Sequence, residues 1–304
     1  MEKICITVTI EQEEERVDKV ITEEVAALSR SFVQKLMKEN QLFVNGLPVK
    51  ASYRVKEGDG IEFFIPKAVE PDIESENIKL DILYEDDVLL VINKPKDMVV
   101  HPAPGHYSGT LVNAILYHCK GNLSGINGIL RPGIVHRIDK DTTGALIVCK
   151  NDIAHNHIAD QLKVHSIQRK YVAIVHGVIR EEEGTIEGAI GRDPHDRKKM
   201  SINEKNGKPA ITHYKVLKRF LEYTYISCQL ETGRTHQIRV HMTSIGHPLL
   251  GDELYGRRAS KFRLQGQTLH AASIGFIHPV TGEYMEFQAP LPEYFSHLLQ
   301  VLEK

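Results

Sequence analysis

No stretch of this sequence stays apolar long enough to cross a bilayer. Met1-Glu2-Lys3 is followed only by a short alternating run, Ile4 to Ile10. Neither a signal peptide nor a membrane span is therefore expected, and the cytoplasm is the default compartment. Cysteine is scarce: Cys5, Cys119, Cys149 and Cys228 stand far apart, without the paired spacing of a zinc site or a redox couple. They read as buried or idle thiols. A strong positive balance is missing too, and a net charge of −2 argues against a generally basic nucleic-acid coat. Internal repeats and low-complexity tracts do not stand out. What is present suffices for a packed core: 304 residues with 41% hydrophobic content allow one large domain and a small one.

The average charge conceals segregation. Glu11 to Glu24 is rich in acid, whereas Arg192 to Arg219 carries Arg192, Arg197, Lys198, Lys199, Lys205, Lys208, Lys215, Lys218 and Arg219 against only Asp193, Asp196 and Glu204. That stretch fits a phosphate-facing patch and a solvated loop equally well.

The chain is organised around Val135 to Lys150. Asp139 lies among His136, Arg137 and Lys140, and a Thr142-Thr143-Gly144 turn leads into the apolar run Ala145 to Val148. Nearby cations favour the charged form of a carboxylate, which suits Asp139 to act as a nucleophile or anion rather than as an acid. The plainer reading is a loop aspartate capping a turn. Clustered titratable groups on a rigid support favour the reactive one. Asp139-Lys140-Asp141-Thr142-Thr143 also spells Asp-x-Asp-x-Thr, the loop of aspartyl-phosphate phosphotransferases that use Mg²⁺. That chemistry needs an apolar strand running straight into the first Asp, and here His136 and Arg137 interrupt it. Neither His155, His157 and His165 nor His236, His241 and His247 have the spacing of zinc ligands, so no metal is expected.

Along the chain, Ile4 to Ile10 alternates like an edge strand, and a helix is predicted from Arg16 to Leu28. Ser29 caps a second over Arg30 to Lys38, and Leu42 to Val44 meets an Asn45-Gly46 turn. Lys67 to Asn77, acidic and proline-containing, reads as linker. Strands are expected over Val88 to Ile92, Arg169 to Gly177 and Tyr223 to Leu230. Helices are expected from Asn151 to Leu162, from Thr235 to Ile245, and from Pro292 onward.

His136-Arg137-Ile138-Asp139-Lys140-Asp141-Thr142-Thr143-Gly144 resembles the signature loop of the RluA/RluD family of RNA pseudouridine synthases, with Ile138 for the usual Leu and Thr143 for the usual Ser. Thr232 to His241, continuing through Gly246-His247-Pro248 to Gly251-Asp252 and Tyr255-Gly256, is similar to a second family motif. Tyr84-Glu85-Asp86, Lys94-Pro95 and Leu269-His270-Ala271 resemble others that scaffold the site. The resemblance implies conversion of uridine in RNA to pseudouridine, without cofactor or metal. It implies Asp139 as the catalytic carboxylate, Tyr171 stacking on the target base, and Arg239 paired with Asp139. His136, Arg137, Thr142, Arg234, His236 and Gln237 are expected to contact the substrate. Arg137 would fill the space that the extruded base leaves, an extrusion costing a few kcal/mol.

Arg16 to Asp59 is similar to an S4-type RNA-binding module, which makes Arg30, Gln34, Lys35 and Lys38 on the second helix candidate phosphate contacts. The expected architecture is α+β: an S4-like αααβ-type module over 13–66, a linker over 67–79 that lets it swing, and a catalytic domain over 80–304. The catalytic domain is expected to hold a mainly antiparallel mixed sheet flanked by helices. The expected partner is RNA, foremost large-subunit ribosomal RNA, in pre-ribosomal particles, with transfer RNA as the other target. The chain is expected to act as a monomer. A catalytically inactive RNA-binding adapter is the competing function, against which Asp139, Tyr171 and Arg239 together argue.

Overall fold

The structure, a computed structural model, describes residues 2–25, 30–50, 52–65, 73–103, 105–126, 131–256 and 262–304, without the side chains of residues 2, 31, 32, 35 and 65. Two compact units divide the chain, Met1–Pro71 and Asp72–Lys304.

The small unit comprises β1 (Glu2–Thr7), α1 (Val17–Glu24), α2 (Arg30–Lys38), β2 (Leu42–Val44), β3 (Leu47–Pro48) and β4 (Gly60–Ile65). Its antiparallel sheet has the order β1-β4-β2-β3. Asn45 and Gly46 both take positive φ, 49° and 77°, as the tight hairpin between β2 and β3 requires. Helical spacing puts Val17, Val20 and Ile21 of α1, and Val33, Leu36 and Met37 of α2, on single faces. Those faces meet Leu42, Val44, Ile61 and Phe63 of the sheet in one core. The unit starts earlier than residue 13, because β1 pairs along the whole of β4, from Glu2↔Ile65 to Thr7↔Gly60. Among the described residues a 3-10 turn, Ile10–Gln12, stands where an αααβ-type module would have a further helix. The expected end of the first helix, at residues 26–28, lies outside the described residues.

Of the expected linker, 67–72 also lies outside the described residues, and 73–79 does not hang free. Ile73, Ile78 and Leu80 pack on the large unit's core. Asn113 Nδ2 donates to the Glu74 carbonyl at 2.8 Å, and the Gly109 N–H donates to the Glu76 carboxylate at 2.9 Å. The acidic composition hid this short apolar spacing.

The large unit adds β5 (Ile82–Glu85), β6 (Leu89–Lys94), α3 (Leu111–His118), β7 (Thr143–Cys149), α4 (Asp152–Lys163), β8 (Gln168–His176), β9 (Glu183–Glu187), β10 (Ile190–Arg192), β11 (Met200–Ile202), β12 (Ile211–Arg219), β13 (Tyr223–Leu230), α5 (Gln237–Ser244), β14 (Leu269–Ile277), β15 (Tyr284–Gln288) and α6 (Glu293–Leu302). Its main sheet has the order β5-β6-β7-β14-β8-β13-β12-β9, with β15 on β14. Among the described strands only β7 and β14 pair in parallel.

Both faces of the sheet's centre are covered, so alternate residues of one strand enter different cores. Leu146 and Val148 of β7 join Leu111, Ile115, Ile238 and Met242 of α3 and α5 on one face. Ala145, Ile147 and Cys149 join Ala154 and Ile158 of α4 on the other. In β8, Tyr171, Ala173 and Val175 face α5, whereas Val172 and Ile174 face Phe295 and Leu298 of α6. Gly144 makes the parallel junction possible, since a Cβ there would sit 2.2 Å from the Ala271 carbonyl oxygen. The basic stretch is more ordered than a solvated loop. It contains β10, β11 and β12, and Met200 packs with Ile190, Val240 and Tyr255 beside α5.

Candidate active site

Asp139 stands on the loop that enters β7, and that loop is tied down from several sides. Ile138 is buried in the core shared with α5. His136 Nε2 accepts the Ile147 N–H at 2.9 Å, which pins the start of the loop to β7. The bond also assigns the ring proton to Nδ1. Burial, with help from the Arg169 guanidinium, pushes the His136 pKa down to about 3, so the ring is neutral at pH 7. On the other side of Asp139, the wholly buried Lys94 donates to the carbonyls of Pro95, Met98 and Lys140 at 2.7, 2.8 and 2.9 Å. Burial lowers its pKa to about 7 against the pull of Asp141, Asp139 and Asp97. Gln267 Nε2 donates to Thr142 Oγ1 at 3.0 Å, and Thr143 Oγ1 meets His270 Nδ1 at 2.8 Å. The carboxylate is thus carried by a rigid turn.

The second part of the site comes from the turn into α5. Gln237 is buried, and its side-chain carbonyl accepts from Thr232 Oγ1 and the Arg234 N–H at 2.8 and 2.9 Å. Its amide nitrogen donates to the Ile211 carbonyl at 2.9 Å. This glutamine shapes the turn, and its amide is fully used there. His236 takes the left-handed conformation, φ 58°, and the helix begins only at Gln237 instead of Thr235.

Arg239 then projects from the first turn and donates from Nη1 to Asp139 Oδ2 at 2.9 Å. Its Nε and Nη2 donate to the two oxygens of Asp252 at 2.7 and 2.9 Å, a paired arrangement that fixes the guanidinium plane. Burial works against the Arg239 charge, yet the hydrogen bonds and charges of Asp252 and Asp139 outweigh it and raise its pKa. Tyr255 completes this cluster. Its hydroxyl takes the Met200 N–H at 2.7 Å and meets His236 Nδ1 at 2.8 Å. His236 Nε2 lies 3.8 Å from Asp139 Oδ1, and burial lowers the pKa of that ring.

Tyr171 lies on β8 opposite Cys228 of β13 and Ala271 of β14. It lines one cleft together with Arg137, Asp139, Thr142, Arg234, His236, Gln237 and Arg239, while Ile138, Leu230, Ile238 and Leu269 supply apolar walls. Burial raises the Tyr171 pKa, so the phenol is neutral. Arg137 is exposed, and its Nη1 sits 3.1 Å from Nε2 of the buried His101. An anion held by a cation, beside an aromatic ring in an apolar-walled cleft, can take a planar uncharged ring and present a carboxylate to it.

Eight of the expected site residues therefore meet in this cleft, and His136 lies in the groove that adjoins it. Arg30, Gln34 and Lys38 belong to the small unit. There Arg30 and Lys38 are exposed, but Gln34 is spent on Asp18, to which it donates at 3.1 Å. The side chain of Lys35 lies outside the described residues. Lys94, His101, Asp252 and Tyr255 were not singled out for the roles the geometry gives them. A lysine after a strand or an aspartate after a glycine carries no sign of its partner thirteen or forty-six residues away.

Known proteins match this chain over most of its length. The family described as RNA pseudouridylate synthase matches residues 88–244, and the S4 domain matches residues 15–61. A Bacillus subtilis (strain 168) protein named Uncharacterized RNA pseudouridine synthase YlyB is 52% identical over 100% of this chain and 99% of its own length. A Zymomonas mobilis protein named Ribosomal large subunit pseudouridine synthase D is 43% identical over 98% of this chain and 96% of its own. Among solved structures, Human RNA Pseudouridylate Synthase Domain Containing 1 superposes with a TM-score of 0.58 at 27% identity, covering 79% of this chain and 98% of that one. Full-length identity of this order, on a chain that sets an S4 domain before the catalytic domain, places this protein in the RNA pseudouridine synthase family, whose members are isomerases.

Proposed function

We propose that this enzyme isomerises specific uridines of large-subunit ribosomal RNA, with Asp139 as the reacting carboxylate. The observation that carries the assignment is the Asp139–Arg239 pair at 2.9 Å beside Tyr171 in one cleft. The names of the relatives that act on the ribosomal large subunit support the substrate.

In the reaction the bond from ribose C1′ to uracil N1 breaks, the ring turns, and C1′ bonds to C5. The hydrogen on C5 leaves as N1 gains one, so atoms and electrons balance without a redox partner. Arg239 fixes one Asp139 oxygen and leaves Oδ1 for the nucleotide. From there the carboxylate can attack C1′, attack the ring, or remove a ribose proton. Tyr171 offers a face to the extruded base, which helps offset the lost stacking in the RNA. Arg137, exposed and lining the cleft, would enter the vacated position.

The test is pseudouridine mapping by carbodiimide-dependent reverse-transcription stops, on ribosomal RNA from cells carrying this chain or Asp139→Asn. Stops present with the first and absent with the second name the target uridines and assign the carboxylate. Stops that persist with Asp139→Asn, in cells lacking any other synthase for those positions, remove Asp139 from the role.

A further inference from the structure

Beside the Asp139 cleft runs a groove of about 510 Å³ that shares Arg137, Asp139, Tyr171 and His236 with it. Lys163 and His165 at the end of α4, Arg169 on β8, and Arg137 and Arg234 line the groove, and Asp139, already paired with Arg239, is its one carboxylate among the described residues. Arg169 is the unusual member. The residue is more than nine-tenths buried, yet its Nε–H has no acceptor, and Nη2 reaches only the Glu231 carbonyl at 3.4 Å. No carboxylate lies within ion-pair distance of it among the described residues. A buried guanidinium with a donor left unspent and no counter-charge is costly unless an anion completes it. The turn before α5 makes room for this group, because a Cβ on Gly233 would fall 2.5 Å from Arg169 Nη1.

We infer that Arg169 anchors a backbone phosphate of the RNA next to the target uridine, with Lys163 and Arg234 flanking it. A planar guanidinium suits a phosphate's paired oxygens, and the four cations of the groove match a polyanion strand. This inference rests on the reading of the Asp139 cleft as the uridine site. It makes Arg169 a binding residue, separate from the reacting groups, that holds the strand in register.

The test uses the full-length chain and a large-subunit ribosomal RNA transcript, with dissociation constants measured across a potassium chloride series. Arg169→Gln is expected to weaken binding about tenfold and to lower the salt slope by about 0.7 to 0.9. Turnover at saturating RNA is expected to stay within about threefold of wild type. Arg169→Lys, which keeps the charge, should keep the slope that Arg169→Gln lowers, a contrast that a purely structural arginine would not give. Gly233→Ala, which displaces the guanidinium by its Cβ, should reproduce the Arg169→Gln loss in a chain of normal circular dichroism. In an oligonucleotide carrying the mapped uridine, methylphosphonates are placed singly at the linkages around it. One of them should weaken wild type as much as Arg169→Gln does, and cost the variant nothing further. Equal losses at every linkage in both proteins, or an unchanged slope in Arg169→Gln, overturn the inference. Absence of pseudouridine with these binding effects intact would instead overturn the proposed function.

Discussion

Asp252 holds Arg239 through both of its oxygens, at 2.7 and 2.9 Å, so that only Nη1 is left to meet Asp139. The aspartate side chain is fully shielded from solvent. Its position, thirteen residues after the arginine, sets where the guanidinium points and through it where the Asp139 carboxylate rests.

From this relationship Asp252→Asn is expected to lower the single-turnover rate about ten- to hundredfold while RNA affinity stays within a few-fold. A small misplacement of a reacting group has a cost of that order. Arg239→Gln is expected to lose more, and to destabilise the fold by about 3–5 kcal/mol because Asp252 is left buried without its partner. Rapid-quench kinetics and urea unfolding on the same variants separate the two effects.

Tyr171 has a neutral phenol, raised in pKa by burial, and its ring lines the cleft. If its role is stacking, the ring matters more than the hydroxyl. Tyr171→Phe is then expected to keep kcat within about threefold, and Tyr171→Leu to lose roughly ten- to a hundredfold, in line with about 1–3 kcal/mol for base stacking. A phenylalanine variant as poor as the leucine one would assign the hydroxyl a chemical role.

Acid should weaken the fold before its carboxylates titrate. Burial holds His136 at about 3 and, with Arg137 and Arg131, His101 at about 4, both below the ordinary histidine value of 6.5. The unfolded chain therefore binds protons that the folded chain refuses. Stability is full above pH 6.5 and is lost as pH falls from there toward 4 and then 3. At pH 5.5 each such ring costs about 1 kcal/mol relative to pH 7.5. Urea midpoints at the two values should show the drop for wild type, and a smaller one for His136→Gln.

In the small unit, Arg30 and Lys38 are exposed on α2, whereas Gln34 is held by Asp18. The double variant Arg30→Gln with Lys38→Gln is expected to weaken RNA binding and flatten its salt dependence, while Gln34→Ala acts mainly on stability. Filter binding at several salt concentrations and thermal unfolding distinguish the two outcomes.

Much of the site was legible because its motifs are local. His136 to Gly144 reads as a turn entering a strand, and the positions of Asp139 and Arg239 follow from two contiguous stretches. The helix over Arg30 to Lys38 and the strand over Tyr223 to Leu230 coincide with α2 and β13, since period and capping residues are local properties. What escaped depended on distant neighbours. Leu111–His118 was not singled out as a helix, although Thr110 and Asn113 form a capping pair at its start. Ile73 to Lys79 looked like linker because acidic composition outweighed two isoleucines, and only the large unit's core shows where they go.

The sequence by itself determined the residue chemistry: a carboxylate on a turn, an arginine one turn into a helix, a tyrosine on a strand facing the core, and two units of unequal size. Tertiary structure alone decided how those groups act on one another. Arg239 meets Asp139 across one hundred residues, Lys94 grips the Lys140 carbonyl from β6, and Arg169 sits against Gly233 with its Nε–H unspent. The reason is physical: side-chain period and turn chemistry act over a few residues, whereas ion pairing and burial depend on which strands are neighbours in the sheet. That order, β7 beside β14 and β14 beside β8, brings the Asp139 loop and Tyr171 to one end of the same cleft.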